Sequence, residues 1–466
     1  MSDSVKDNDI QQNNPEETVQ AIKTTEFMKE TIKQRPINKR KLMRRLLITV
    51  GMAVIFGLVA CFTILIIEPI ITERLNPKEE EKLEKVTFVE ETIEEETKPE
   101  DMIALEAELN PPVVEMVQAP VDDSQIEEVV SQMQLELGLE DFISLSDSLS
   151  SMAKEIQKSL VSVISITRDR DWFDNEYSSE DVVSGVLIAD NGRDYLILAN
   201  LSVLDSTESL EVEFIDGRIC EASLLMQDAC TGFGVVAVNK SVMNETTLKR
   251  INLIEMGSTA NSDFLGAPVV ALGRPMGMDG SVGIGHITSS STVVNKADGN
   301  YKYLTTDICG SENASGILVN AKGQLLGMVD MADNTTDMKG MVCGLAISDL
   351  KKMVEKMSNG NEIPYLGIFG IDVTASISLE MGIPQGVYIT TMNMDSPLLD
   401  VGVQSGDIIT KFNGVNVISF QEVNNNRLSL NPEDVITMEV QREGPEGYMP
   451  IDLEVTLAHQ IPVPEQ

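Results

Sequence analysis

The chain has 466 residues, of which 42% are hydrophobic, so it is too long for one ordinary domain and apolar enough to bury more than one core. Thirty-five Lys and Arg residues against 74 Asp and Glu residues give a formal net charge of −39. A chain this acidic repels phosphate backbones, which argues against nucleic acid as a partner. The five cysteines show neither CxxC pairing nor metal-ligand spacing. We therefore expect buried thiols, with no metal and no cofactor.

The N-terminal part has the charge pattern of a membrane anchor. Residues 1–45 are polar and carry ten Lys or Arg against seven Asp or Glu, which predicts a disordered cytoplasmic tail. Residues 46–67 contain no charge, and as a helix these 22 residues would span roughly 33 Å, enough to cross a bilayer. A cleaved signal peptide is the alternative, but its apolar core would be shorter. The basic cluster before the span predicts a single-pass cell-membrane protein whose C-terminal domains are extracytoplasmic.

The next segment, residues 68–150, is strongly acidic, with 24 Asp or Glu against five Lys or Arg and prolines throughout. Such a segment repels itself and buries little, so it predicts an extended extracytoplasmic stalk. Cation binding by the acidic runs is the less common alternative. Apolar residues recur at helical spacing near the end of the stalk and predict a helix there: Ile126, Val129, Val130, Met133 and Leu137.

Residues 151–357 read as a mainly β domain. Met152, Ile156 and Leu160 predict a short helix, and a second helix is predicted to end at Met357. Between them, short apolar segments separated by turn residues fit a pair of β-barrels better than alternating βαβ units. The predicted strands are 161–167, 183–189, 195–199, 209–214, 234–238, 268–272, 282–289, 317–319 and 324–329.

One stretch of this domain, residues 305–320 (TTDICGSENASGILVN), combines a Thr-Asp pair, a turn and a strand. It resembles the nucleophile loop of trypsin-like serine proteases of the HtrA/DegP family, which runs TD, a turn and then GNSGGPLVN. Further segments resemble the family in the same chain order: SGVLI at 184–188, DGR at 216–218, ALGRPMG at 271–277, VGIGHI at 282–287 and GQLLGM at 323–328. The resemblance implies a trypsin-like double β-barrel.

The resemblance also locates the catalytic positions, and none of them carries the residue that the chemistry requires. Ser202 stands at the position of the general base, Gly232 at that of the orienting aspartate, and Ala314 at that of the serine nucleophile. The nearest serine is Ser315, one place further on. A serine hydroxyl needs an imidazole within hydrogen-bond reach to lose its proton. Of the two histidines, His286 falls inside a predicted strand and His459 lies near the C-terminus, so we expect no catalytic residues.

Residues 362–460 resemble a PDZ domain of the HtrA type. The segment 364–368 matches the carboxylate-binding loop, and 396–409 matches the SPAxxAGLxxGDVI signature. The resemblance implies that Tyr365, Leu366, Gly367 and Ile368 bind the C-terminal carboxylate of a peptide, with the next strand offering an edge for β-augmentation. The alternative is a purely structural turn and strand.

Together these features predict a membrane-anchored pseudoprotease that binds polypeptide C-termini or unfolded proteins, as a scaffold, a chaperone-like module or a regulator of active protease relatives in envelope protein quality control. The competing hypothesis is an active HtrA-type serine endopeptidase that degrades misfolded envelope proteins. Many relatives form trimers, so a homo-oligomer is a further expectation from the resemblance, one that the residues themselves do not decide.

Overall fold

A computed structural model describes residues 43–44, 47–58, 83–88, 138–170, 176–202, 204, 209–260 and 264–460. The chain divides into two compact units, Met1–Glu80 and Glu81–Gln466. In the first unit, residues 43–44 and 47–58 are helical. Across the described ranges, no helix combines the length and the apolar character needed to cross a bilayer. The predicted span at 46–67 extends into residues that lie outside the description, so it stays a prediction.

The second unit contains two closed barrels of six strands each, as the sequence predicts. Helix α1 (Leu139–Ile156) leads into the first barrel, which has the strand order β1-β2-β3-β6-β5-β4. These strands are β1 (Leu160–Arg170), β2 (Glu176–Asp190), β3 (Asp194–Asn200), β4 (Ser209–Glu213), β5 (Ile219–Gln227) and β6 (Phe233–Asn239). A short helix, α2 (Glu245–Leu248), follows.

The second barrel has the order β10-β11-β12-β9-β8-β7. Its strands are β7 (Pro268–Arg274), β8 (Ser281–Lys296), β9 (Gly299–Cys309), β10 (Ser315–Asn320), β11 (Leu325–Val329) and β12 (Met341–Ala346). Strands β8 and β9 form a long hairpin whose tip is Ala297-Asp298. Asp298 has a φ of 63°, the left-handed conformation that aspartate adopts more readily than most residues in tight turns.

Helix α3 (Ile347–Ser358) joins the barrels to a PDZ domain with a main sheet ordered β14-β15-β16-β18-β19. The elements are β13 (Pro364–Tyr365), β14 (Ile368–Val373), α4 (Ala375–Met381), β15 (Gly386–Met392), α5 (Pro397–Asp400), β16 (Ile408–Phe412), β17 (Val415–Asn416), α6 (Phe420–Arg427), β18 (Val435–Gly444), β19 (Gly447–Thr456) and β20 (Ala458–His459). β14 is the edge strand of this sheet, because it pairs only with β15 and has no described strand paired with its other edge in the sheet.

One part of the predicted stalk is helical, and another part packs against the end of α3. Helix α1 begins at Leu139, well before the short helix that the sequence predicts. Residues 83–88 dock beside the end of α3, where the Val86 amide donates to Asn359 Oδ1 (3.0 Å) and Asn359 Nδ2 donates to the Val86 carbonyl (2.8 Å). Val86 is 8% exposed because it joins the main hydrophobic core. The predicted helix at 126–137 lies outside the described residues.

The PDZ domain has a buried cluster of its own, but two of its residues join the core of the barrels across the boundary that polar and glycine residues predict at 357–361. Ile363 and Leu428 of the PDZ domain belong to the same buried cluster as Met353 and Met357 of α3. At the C-terminus, Gln460 Nε2 donates to Asp228 Oδ1 of the first barrel at 2.6 Å. The PDZ domain is therefore packed onto the barrels, which decides what its peptide site contacts.

Candidate functional site

Ser202, at the position of the general base, lies just after β3. Its Oγ donates to Asn200 Oδ1 at 2.6 Å, and its backbone amide donates to the same oxygen at 3.1 Å. Asn200 is 5% exposed. The Ser202 hydroxyl is therefore held by a neutral amide oxygen, which cannot accept a proton in catalysis at neutral pH.

Gly232, at the position of the orienting aspartate, lies directly beside Ser202. The Leu201 amide donates to the Gly232 carbonyl at 2.9 Å, which joins the two loops. Gly232 has a φ of 78°, and a Cβ atom there would overlap Ser202 Cβ and lie 2.9 Å from Ser202 Oγ. The structure places positions 202 and 232 next to each other, as a general base and the aspartate that orients it require. It leaves no room at position 232 for the carboxylate side chain of an aspartate.

Ala314, at the nucleophile position, is buried and packs with Ile308 and Val342 in the core of the second barrel. Its amide donates to the Ser311 carbonyl at 3.1 Å, which closes a turn over Glu312 and Asn313. An oxyanion site needs amides that point at the reacting oxygen, and this amide is already used inside its own turn. Glu312 pairs with Lys339 at 2.7 Å, and this hydrogen bond lowers the pKa of the Glu312 carboxyl. The turn therefore carries an ionised, lysine-paired glutamate beside Ala314.

Ser315 is not placed as a substitute nucleophile. It is 2% exposed, and its Oγ accepts a hydrogen bond of 3.0 Å from the Ser184 amide of β2. This bond ties the second barrel to the first. Ser315 therefore has a structural partner and little access to solvent.

Both histidines are paired with carboxylates on the surface. His286 Nδ1 lies 3.3 Å from Asp307 Oδ2, and His459 Nδ1 lies 2.8 Å from Glu362 Oε1. In the part of the chain that the structure describes, neither ring bonds a serine hydroxyl. The barrels thus contain a His-Asp pair, His286 and Asp307, but within the described residues this pair makes no hydrogen bond to a serine of the nucleophile loop.

The carboxylate-binding loop of the PDZ domain is held rigidly by its neighbours. Tyr365 Oη donates to Asp395 Oδ1 (2.9 Å) and accepts from Asn393 Nδ2 (2.7 Å), while the Leu366 carbonyl accepts from Ser396 Oγ (2.6 Å). Gly367 has a φ of 69°, and a Cβ there would lie 2.7 Å from Tyr365 Oη. The turn therefore needs glycine, and its conformation presents the flanking amides in one direction.

Those amides already hold a carboxylate, supplied by the second barrel. The Leu366 amide donates to Asp298 Oδ2 at 2.8 Å and the Ile368 amide donates to Asp298 Oδ1 at 3.0 Å. The Asp298 amide in turn donates to the Ile368 carbonyl at 2.8 Å. One residue at the tip of the β8–β9 hairpin thus makes the set of bonds that a C-terminal peptide residue makes with a PDZ loop.

Arg427 of α6 lies on the other side of the same carboxylate, with Nη1 3.7 Å from Asp298 Oδ2. Its side chain is 2% exposed, donates to the Pro364 carbonyl and donates to Asn424 Oδ1 at 2.7 Å. Burial raises the pKa of the Asp298 carboxyl, while Arg427 and the two amides act in the opposite direction. The sequence did not reveal the role of Asp298 or Arg427 at this loop. Asp298-Gly299 indicates only a hairpin turn, and Arg427 indicates only the end of a helix.

The chemistry available at these two places is therefore different. The triad positions hold Ser202, Gly232 and Ala314, and the Ala314 amide is bonded within its own turn. At the PDZ loop, two amides and a guanidinium bind a carboxylate. No group of three or more His, Cys, Asp or Glu side chains within the described ranges could hold a metal ion.

Comparison with known proteins agrees with this architecture. A trypsin-like peptidase domain matches residues 183–328, and a PDZ domain matches residues 364–455. The serine protease Do-like HtrA of Lactobacillus helveticus is 23% identical over 289 residues, covering 58% of this chain and 68% of that protein. The protein of the same description from Lactococcus lactis subsp. lactis (strain IL1403) is 23% identical over 344 residues, covering 65% and 81%.

A solved structure, HtrA-type protease AlgW with decapeptide, aligns at 18% identity with a TM-score of 0.47, covering 67% of this chain and 99% of that one. The two domain matches, in this order, and the similarity to HtrA proteins agree with the motifs of the nucleophile loop and the PDZ signature. The chain therefore contains a trypsin-like peptidase domain followed by a PDZ domain, and it is similar to HtrA proteins over 58–65% of its length.

Proposed function

We propose that this chain is a pseudoprotease that binds polypeptides without cleaving them, as a scaffold, a chaperone-like module or a regulator of active protease relatives in envelope protein quality control. The observation that carries the proposal is the set of residues at the three triad positions, Ser202, Gly232 and Ala314. A hydroxyl, a hydrogen and a methyl group cannot form a proton relay. The PDZ domain supplies a recurrent mode of peptide recognition, based on loop amides and a strand edge.

The geometry around the triad positions supports the same proposal. Removing one catalytic member of a triad costs several orders of magnitude in rate, and here all three are replaced. The amide of Ala314 is bonded within its own turn, so the residual rate that an oxyanion site gives is also unsupported. The competing function, an active serine endopeptidase, would need Ser315 as nucleophile, and its Oγ is buried on the Ser184 amide.

The proposal includes a membrane anchor at residues 46–67, with the tail 1–45 in the cytoplasm and the second unit outside. It rests on the charge-free run of 22 residues and on the basic cluster that precedes it. Anchoring would hold the polypeptide-binding domains close to the membrane surface, where envelope proteins emerge unfolded.

Incubation of the full chain with unfolded casein and with a serine-directed phosphonate tests the proposal. We expect casein to be retained by the immobilised protein but not cut, and the phosphonate to label no residue. An active HtrA-type protease is the positive control, and Ser315→Ala is the variant that would identify labelling at that serine. Cleavage of casein, or labelling that Ser315→Ala removes, would show that the chain is an enzyme.

A further inference from the structure

Asp298 reproduces the contacts of a peptide terminus in detail. Its carboxylate accepts from the Leu366 and Ile368 amides, and its own amide donates to the Ile368 carbonyl. Two residues further on, Asn300 Nδ2 donates to the Gly370 carbonyl at 3.1 Å. Ile368 and Gly370 are residues i and i+2 of β14, so their carbonyls face the same edge, and the hairpin therefore occupies both the loop and the free edge of β14.

The hairpin tip also lies between the two walls of the site. The Ile368 amide of β14 donates to Asp298 Oδ1 at 3.0 Å, and Arg427 Nη1 of α6 lies 3.7 Å from Asp298 Oδ2. Asp298 is 1% exposed, and the residues of the loop that bind it are buried with it. A peptide carboxylate and the Asp298 carboxylate therefore require the same amides and cannot be bound together.

We propose that Asp298 is a built-in ligand of the PDZ carboxylate loop, a latch that keeps the peptide site closed until the C-terminal carboxylate of a polypeptide displaces it. This inference rests on the proposed polypeptide-binding function and specifies how its peptide site is regulated. An intramolecular ligand competes at a high effective concentration, so a free peptide binds only in the fraction of molecules whose latch is open.

The closed latch carries costs that opening would relieve. Burying an ion pair removes the hydration of both charges, and attraction between Asp298 and Arg427 offsets this only in part. Within the described residues, three buried polar atoms beside the latch have no hydrogen-bond partner in the protein: Asn300 Oδ1, Asn424 Nδ2 and Arg427 Nε. Displacement of the hairpin returns these groups to water, which lowers the cost of exchanging one carboxylate for another.

The surface beside the latch offers a route for that exchange. A cavity of about 370 Å³ lies between the hairpin residues Lys296 and Ala297 and the PDZ residues Tyr365 and Phe369. A polypeptide terminus that enters it meets both the hairpin and the loop. The latch is therefore buried but flanked by an opening, as a displaceable ligand requires.

The test compares wild type with Asp298→Ala, both as the full chain. The probe is a pool of fluorescein-labelled decapeptides of random sequence with free C-terminal carboxylates, and the same pool with amidated termini is the charge control. If the latch is closed in nine molecules of ten, its removal should raise the affinity for the free-acid pool about tenfold and leave amidated peptides unbound. Asp216→Ala, which alters another hairpin aspartate bonded to Thr247, should behave as wild type.

A second variant tests the latch independently, in case Asp298→Ala fails to fold. Asn300→Ala removes the bond to the Gly370 carbonyl but keeps the carboxylate, so we expect a smaller gain of the same kind, with an unchanged circular dichroism spectrum. Equal retention of the free-acid pool by wild type and Asp298→Ala would overturn the latch, as would no retention by either. Retention of uncut casein in those cases would leave the proposed function standing, whereas loss of casein binding would overturn that function separately.

Discussion

Gly232 occupies a left-handed backbone conformation directly beside Ser202, with a φ of 78°. Adding a side chain there has two separable costs. The left-handed conformation costs an L-residue about 1–2 kcal/mol, and the overlap of a Cβ with Ser202 adds to it. The loop thus prefers glycine for reasons that are independent of catalysis.

We predict that Gly232→Ala lowers the free energy of unfolding by more than the roughly 1–2 kcal/mol of the backbone term, measured by urea denaturation. Gly266→Ala is the matched control, because Gly266 has a similar φ of 74° but nothing within 4 Å of its added Cβ. Equal losses for the two variants would mean that the contact with Ser202 is unimportant. A triple variant with Ser202→His, Gly232→Asp and Ala314→Ser should cleave casein weakly or not at all, because Glu312 replaces the flexible glycine of the oxyanion loop.

The hairpin β8–β9 contacts the PDZ domain through Asp298, whereas the terminal strand β20 and its residue His459 make contacts within the PDZ domain. β20 pairs with β13, the strand that leads into the carboxylate loop. His459 sits between two carboxylates, Nδ1 at 2.8 Å from Glu362 Oε1 and Nε2 at 3.4 Å from Glu433 Oε1. These partners favour the protonated ring, so they raise the pKa of His459 above its ordinary value.

The contribution of His459 to stability depends on pH. A raised folded-state pKa means that the contribution of His459 to stability is fully present below its unfolded pKa of about 6.5 and is lost as pH rises through the folded value. We predict that His459→Gln lowers the melting temperature at about pH 5.5 and has little effect at about pH 8.5. The partner variant Glu362→Gln should reduce this pH-dependent difference, and an equal effect at both pH values would contradict the prediction.

The two barrels and the PDZ domain form one compact unit, Glu81–Gln466, in which two PDZ residues join the largest buried cluster of the barrels. Leu428, at the end of the PDZ helix α6, is 4% exposed because it belongs to the core cluster that also holds Met353 of α3. Together with Gln460 on Asp228 and the latch at Asp298, this packing fixes the peptide site against the barrels. A ligand that displaces the latch therefore acts on an interdomain surface.

The distribution of charge along the chain leads to a prediction about topology. Ten basic residues precede the charge-free run, and the acidic stretch 68–150 follows it. Basic residues are retained in the cytoplasm, so protease added to intact cells should remove the PDZ domain and spare the tail 1–45. Permeabilised cells, in which the tail is also degraded, provide the control. A PDZ domain protected in intact cells would overturn the proposed orientation.

The sequence alone was enough to predict the barrel pair and the PDZ domain, because short apolar strands, turn glycines and ordered motifs depend on local patterns. The sequence did not predict β5, β9 or β12 as strands; in β5 and β9, polar residues interrupt the apolar ones and weaken the strand pattern. The triad positions could also be identified from the sequence, because Ser202, Gly232 and Ala314 lie in segments that resemble motifs of the family.

Only the tertiary structure decided what those segments contact. Gly232 lies against Ser202 because two loops are joined by the Leu201 amide, and no spacing in the chain reveals that contact. Asp298 is 68 residues from Leu366, so the bond between them depends on how the PDZ domain packs on the barrels. A carboxylate at a hairpin tip and a turn of amides are both ordinary local features, and the packing of the PDZ domain on the barrels brings them within hydrogen-bond distance.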